Sequence, residues 1–104
     1  MSSFDDRADA FQNKFAHDAQ MQFKAEARRN KLLGLWAAEV LGKSGDDAAA
    51  YAMEVVKSDF EEAGDEDVFR KVAGDLGDKA SEADIRVKMG ELMVQAKAQI
   101  MDEA

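Results

Sequence analysis

The chain has 104 residues, enough for one domain, and its formal net charge is −8 at pH 7. Cysteine is absent, which excludes disulfides and thiolate zinc sites, so side-chain packing must hold the fold together. The negative charge repels phosphate backbones and anionic lipid surfaces, so we expect neither a nucleic-acid partner nor membrane insertion.

The composition indicates an all-α fold. Proline is absent, and the helix formers alanine, glutamate, lysine, leucine and methionine are abundant. Glycines that can end helices fall between the apolar-periodic segments, at Gly42, Gly45, Gly64, Gly74 and Gly77. We therefore predict a four-helix bundle over residues 20–104, preceded by a flexible N-terminal arm over residues 1–19 that is able to turn helical.

The N-terminal arm has an apolar face. Phe4, Ala8, Phe11 and Phe15 recur at helical spacing, and charged or polar side chains occupy most other positions. An isolated helix this short is only marginally stable in water, so we expect the arm to be frayed when free and ordered on a partner. The alternative is that the phenylalanines pack on the bundle as an extension of the first helix.

The first two helices are predicted from apolar stripes. The first runs from about Gln20 to Leu41, and Gly34 inside it is interpreted as a point where a neighbouring helix comes close. Its buried stripe is Leu33, Trp36, Ala37, Val40 and Leu41. The second helix follows residues 43–47 and ends at Gly64. Its predicted stripe is Ala49, Ala52, Met53, Val56 and Phe60.

The last two helices carry clearer signals. The third is capped by Asp65, and its inward residues are Val68, Phe69, Val72 and Leu76. The fourth begins at Ser81, where residues 81–84 approximate a capping box. Its buried face is Ile85, Met89, Leu92, Ala96 and Ile100. The centre of the core is predicted at Trp36, Val40, Val56, Phe60, Val72, Ile85 and Leu92.

Catalytic and metal-binding patterns are missing from the sequence. His17 is the single histidine, whereas a histidine metal site needs several nitrogen or sulfur ligands, so we expect no metal. We interpret His17 as exposed, with a pH-sensitive contact as the alternative. Neither a plausible serine, histidine and carboxylate triad nor a P-loop is present. We therefore expect a protein that is not an enzyme and needs no cofactor.

Two charged clusters remain to be interpreted. The acidic cluster is typical of solvated helix caps, with acid–base chemistry or weak calcium binding as alternatives; it comprises Asp59, Glu61, Glu62, Asp65, Glu66 and Asp67. The basic cluster is Arg28, Arg29 and Lys31. It can contact a phosphate or nucleotide, or it can simply be a solvated helix face.

Two long stretches of the sequence resemble a known family. The first is KFAHD at 14–18 with FKAEARRNKLLG at 23–34 and WAA at 36–38, and the second is SDFEEAGDEDVFRK at 58–71. They are similar to the zeta subunit, the inhibitor protein of the alphaproteobacterial F-type ATP synthase, and the resemblance spans nearly the whole chain. It implies a four-helix bundle, in agreement with the helical pattern.

The resemblance also implies a function and a set of partner-binding residues. The N-terminal segment of such a protein inserts at a catalytic interface of the ATP synthase head, between alpha and beta subunits, contacts the gamma subunit of the rotor, and blocks rotation in the hydrolytic direction. The inhibitory segment corresponds here to residues 2–19. The positions that match are Phe4, Asp5, Asp6, Arg7, Lys14, Phe15, Ala16, His17 and Asp18. Phe11 joins them through its place on the apolar face.

The resemblance places the protein in the cytoplasm, peripheral to the inner membrane through the ATP synthase, and we expect a monomer when it is free. Two other classes of function stay open. One is a small nucleotide- or metabolite-binding module that uses the basic cluster at Arg28, Arg29 and Lys31. The other is a helical adapter with no link to ATP synthase.

Overall fold

The computed structural model describes residues 19–59 and 65–103. Within these ranges the chain forms no strand, and a single 3-10 turn at Gly77–Lys79 precedes the last helix. The four α-helices are α1 (Ala19–Val40), α2 (Gly45–Ser58), α3 (Glu66–Leu76) and α4 (Glu82–Glu103). The predicted all-α class and the four helices are confirmed. Nearly all of the predicted arm, residues 1–18, lies outside the described residues.

The helix α1 is the centre of the bundle. It packs most extensively against α2 and α4, and less against α3. Because α1 has neighbours on several sides, its buried side chains form a broad band that includes Ala25, Leu33 and Ala38. Trp36 and Val40, which were predicted at the centre of the core, are instead half-buried at its edge.

A glycine ends α1. Gly42 has a φ of +80°, and the N–H of Lys43 donates to the carbonyl of Ala38 at 2.8 Å. The N–H of Gly42 donates to Glu39 at 3.0 Å, which completes a Schellman motif. Glycine suits this position because side chains disfavour a positive φ. The helix therefore stops within one residue of its predicted end.

The buried face of α2 differs from the prediction. Tyr51, Ala52 and Val55 are buried, while Ala49 is exposed and Met53 is 50% exposed. Val56 is only half-buried, and Phe60 lies outside the described residues. The predicted stripe was right at Ala52 and wrong at Ala49 and Met53. Residues 48–53 are nearly all apolar or small, so several helix rotations give an apolar face.

The helices α3 and α4 bury the faces that were predicted. The buried apolar residues are Val68, Phe69, Val72 and Leu76 on α3, and Ile85, Met89, Leu92, Ala96 and Ile100 on α4. The N–H of Asp84 donates to the Ser81 hydroxyl at 3.0 Å, which confirms Ser81 as the cap of α4. Asp65 occupies the cap position of α3, but its side chain makes no capping hydrogen bond.

The core has a main cluster and a small satellite. The main cluster joins Leu33 of α1 to residues of all three other helices, including Val55, Val68 and Ile85. The satellite pairs Ala25 with Ile100, where the start of α1 meets the end of α4. None of the described helices is both long and apolar enough to cross a membrane.

Candidate binding surfaces

Of the predicted basic cluster, the structure brings Arg28 and Lys31 to one surface and separates Arg29 from them. Arg28 points towards α4, where its guanidinium donates to Glu103 at 2.8 and 2.9 Å and to Gln99 at 2.9 Å. The hydrogen bonds between Arg28 and Glu103 raise the pKa of Arg28 and hold the pKa of the Glu103 carboxyl below its ordinary value. Lys31 is exposed on the same helix.

The side chain of Arg29 points in a different direction from that of Arg28. Successive residues of an α-helix are rotated by about 100°, so Arg29 faces the bundle, and it is only 2% exposed. Its Nε donates to Asn30 at 2.7 Å, and its Nη2 donates to the Asp65 carboxylate at 2.7 Å. Asp65 is the residue before α3. Arg29 therefore ties α1 to the start of α3.

Of the acidic cluster, Asp65 and Glu66 pair with arginines. Asp67 was predicted to be solvated but is buried, and its carboxylate accepts a hydrogen bond from the N–H of Val68 at 2.8 Å. Glu66 accepts two hydrogen bonds from Arg86 of α4, at 2.9 and 3.1 Å, and these lower the pKa of Glu66. The Arg86 guanidinium lies 3.8 Å from the centre of the Phe69 ring, in a cation–π contact. Together with the Arg29–Asp65 pair, this contact secures the N-terminal end of α3.

The carboxyl group of Asp59 lies in an environment that disfavours its charged form. Desolvation raises its pKa, and the negative charge of Asp67 adds to the increase, while Asn30 and Arg29 oppose it. Glu61 and Glu62 lie outside the described residues. Among the residues that the structure describes, no group of three or more histidines and carboxylates is placed to hold a metal ion.

An open apolar groove runs along the first half of α1. It has a volume of about 650 Å³ and lies between residues of α2 and residues of α4. Its apolar lining includes Phe23, which is 60% exposed, and Met53, which is 50% exposed. The polar lining is Lys24, Arg28, Lys31 and Glu103. We call this surface the α1 groove.

Sequence analysis did not predict the α1 groove. Phe23 lies four residues after the end of the predicted arm and outside the predicted stripe, and Met53 was assigned to the core. Each is a large apolar side chain in contact with water, which is typical of binding surfaces when such residues cluster. The signal in the sequence was Phe23, an aromatic residue among polar neighbours with no place on the buried face of its helix.

The N-terminal site residues cannot be placed on this surface. Those that lie outside the described residues are Phe4, Asp5, Asp6, Arg7, Phe11, Lys14, Phe15, His17 and Asp18. What the structure describes is the bundle to which they are joined. The α1 groove begins at Met21, two residues after the first described residue, Ala19.

Fold and surfaces together define a small helical-bundle protein whose charged clusters hold helices together and whose exposed apolar groove offers a binding surface. The chain belongs to the family ATPase inhibitor subunit zeta, which it matches over residues 1–99. This match confirms the resemblance found in the sequence.

A solved structure supports the same fold. The chain is similar to a protein with a solution NMR structure, at 73% sequence identity and a TM-score of 0.76. The match covers 81% of this chain and 99% of that chain. No curated protein sequence matches the chain.

Proposed function

We propose that this protein inhibits ATP hydrolysis by the F-type ATP synthase by inserting its N-terminal segment at a catalytic interface, which blocks rotation in the hydrolytic direction. The observation that carries the proposal is the family match, which begins at residue 1 and continues to residue 99. It therefore includes both the N-terminal arm and the bundle. Family membership supports the inhibitory role, and the insertion mechanism is the proposed part.

In this proposal the chain has two functional parts. Residues 1–19 form the inhibitory arm, which contacts the alpha, beta and gamma subunits, and residues 20–104 form the bundle. The core cluster of the bundle consists of residues from α1 to α4. The arm's phenylalanines are the proposed anchors on the partner, because buried aromatic residues often dominate binding energy at interfaces. The protein would act in the cytoplasm, peripheral to the inner membrane.

The test is inhibition of the ATPase from the same organism. ATP hydrolysis is measured against the concentration of the full chain and of a variant with Phe4, Phe11 and Phe15 changed to Ala. We expect the variant to lose inhibition while the bundle over residues 20–104 keeps its helices and its thermal unfolding. The matched control changes Val87 and Val94 to Ala, because these are exposed apolar residues of the bundle. Full inhibition by the triple variant would show that the arm is not inserted.

The α1 groove supports a second candidate, the binding of a small phosphate-bearing ligand such as a nucleotide. Arg28 and Lys31 lie beside the exposed Phe23 ring, which can stack on a planar base. Arg29 takes no part in this site, because it is buried against Asp65. Titration of the full chain with ATP tests this candidate, and Lys31→Ala should weaken binding more than Lys43→Ala, which changes a lysine outside the groove.

A further inference from the structure

We propose that in the free protein residues 4–15 fold back as a helix into the α1 groove, antiparallel to α1, so that the arm's apolar face is covered until a target displaces it. The proposal rests on the proposed function only for its regulatory consequence. The docking itself is a property of the isolated chain.

The apolar surface of the groove requires a partner of matching chemistry. Phe23 and Met53 are more than one-third exposed, and Val56 and Ile100 line the groove between them. The arm offers three phenylalanines on one face of a predicted helix. Covering exposed apolar surface with another apolar face is favourable in water. The arm is the nearest apolar segment along the chain, since the groove begins at Met21.

The lengths agree as well. The lining residues of α1 extend from Met21 to Lys31, and eleven helical residues span about 17 Å at 1.5 Å per residue. Residues 4–15 would span about 18 Å as a helix. Residues 16–18 are left to connect them, and antiparallel helices are commonly joined by loops of about two to five residues. The arm therefore reaches the groove without distorting α1.

Charge favours the antiparallel direction. Folding back places Asp5 and Asp6 at the end of the groove that carries Lys31. Lys31 forms no ion pair with any residue that the structure describes, whereas Glu103, at the other end, is already paired with Arg28. The acidic end of the arm thus meets an unpaired cation, which fixes orientation more than affinity.

Docking has a consequence for regulation. An arm that occupies the groove cannot enter the ATP synthase. The apparent affinity for the target is therefore the intrinsic affinity multiplied by the fraction of chains with a free arm. A change in the groove that weakens docking should then strengthen inhibition. The bundle and the ATP synthase therefore compete for the same inhibitory segment.

The test is paramagnetic broadening in the full chain. Since the chain has no cysteine, Ser3→Cys provides a unique attachment point for a nitroxide label. We expect the label to broaden the Met53 methyl signal several-fold more than the methyl signals of Val87, an exposed residue that does not line the groove. Reduction of the nitroxide should restore the Met53 signal.

Charge reversal provides the matched variants. Lys31→Glu should reduce the broadening, because it places a carboxylate beside Asp5 and Asp6, whereas Lys43→Glu makes the same charge change outside the groove and should leave the broadening intact. Adding Asp5→Lys and Asp6→Lys to the first variant should restore the broadening. If charge reversal at the groove has no effect on the broadening, the proposed arrangement is wrong.

Three further results would overturn the docking. Equal broadening of Met53 and Val87 would show that the arm does not select the groove. Broadening seen only when label and observed methyl are on different molecules would assign the groove to a second copy. An ATP-induced shift of Met53 without any broadening would assign it to a nucleotide.

The regulatory consequence is measured separately from the docking. The Lys31→Glu chain should inhibit the ATPase at a several-fold lower concentration than the unmodified chain. Inhibition at an unchanged concentration would refute the regulatory role. Clear broadening in a chain that does not inhibit at all would support the docking proposal and refute the proposed function.

Discussion

Gly34 of α1 lies directly against Ala52 of α2. A Cβ atom placed on the glycine would be 2.6 Å from the Cα of Ala52 and 3.1 Å from its Cβ. Real Cβ atoms do not come this close to backbone atoms, so only glycine allows the two helices to approach at this point. The close approach that Gly34 suggested in the sequence is therefore confirmed, with Ala52 as the residue on the other helix.

Gly34→Ala should destabilise the bundle. Alanine favours helix over glycine by about 1 kcal/mol, but overpacking typically costs about 1–3 kcal/mol. Because the obstructing atom belongs to the backbone of α2, we expect a net loss of about 1–2 kcal/mol in urea unfolding. The control is Gly90→Ala on α4, where nothing lies within 4 Å of the new Cβ. That variant should gain about 0.5–1 kcal/mol, and a gain in both variants would contradict the packing argument.

Arg29 and Arg28 should respond very differently to replacement by methionine, which keeps much of the side-chain length. Arg29 is buried and bridges α1 to Asp65, so we expect Arg29→Met to lower the free energy of unfolding by about 2–3 kcal/mol. This is less than the usual cost of breaking a buried pair, because Asp65 is partly exposed. Arg28 forms an exposed pair with Glu103, and Arg28→Met should cost under about 1 kcal/mol. Denaturant unfolding of both variants checks the ranking, and equal losses would show that the Arg29 pair contributes no more than a surface pair.

The face of α2 can be tested with neighbouring residues. Val55 is fully buried, so Val55→Ala should cost about 2 kcal/mol. Met53 is half-exposed on the groove, so Met53→Ala should change the free energy of unfolding by no more than about 0.5 kcal/mol. A larger loss at Met53 than at Val55 would favour the stripe predicted from the sequence over the observed one.

Asp59→Asn should stabilise the protein at neutral pH. The pKa of Asp59 is raised in the folded state above its ordinary value of 3.8, so the folded chain binds this proton more readily than the unfolded chain. Stability therefore falls as the pH rises through the folded pKa, and the penalty is complete at pH 7. We expect a gain at pH 7 that shrinks as the pH approaches 3.8 and below.

The control for Asp59 lies at the other end of α2. Asp46 is in the first turn of the helix, where a negative charge is favourable, so Asp46→Asn should lower stability at pH 7. Thermal unfolding across this pH range distinguishes the two substitutions. A gain from Asp59→Asn that stays constant at all pH values would exclude the raised pKa as its cause.

The sequence by itself determined the helical class, the end of α1, the start of α4 and the inward faces of α3 and α4, whereas α2 ends at Ser58 and not at the predicted Gly64. The face of α3 was predictable because charged residues surround a single apolar stripe. The start of α4 was predictable because Ser81 caps the helix by accepting a hydrogen bond from the N–H of Asp84. The family was recognisable for a similar reason, since long specific strings carry it. Length, spacing and composition are local properties, and a sequence displays them directly.

Only the tertiary structure decided the rotation of α2 and the separate roles of Arg28 and Arg29. The apolar run at 48–53 allows several rotations, and two contacts distinguish among them: the packing of Ala52 on Gly34 and the 2.8 Å hydrogen bond that Tyr51 donates to Asp75 of α3. Adjacent arginines look equivalent in a sequence, but the turn of the helix directs one to Glu103 and the other to Asp65. The α1 groove could not be predicted for the same physical reason: it exists only where side chains from three helices, distant along the chain, leave apolar surface uncovered.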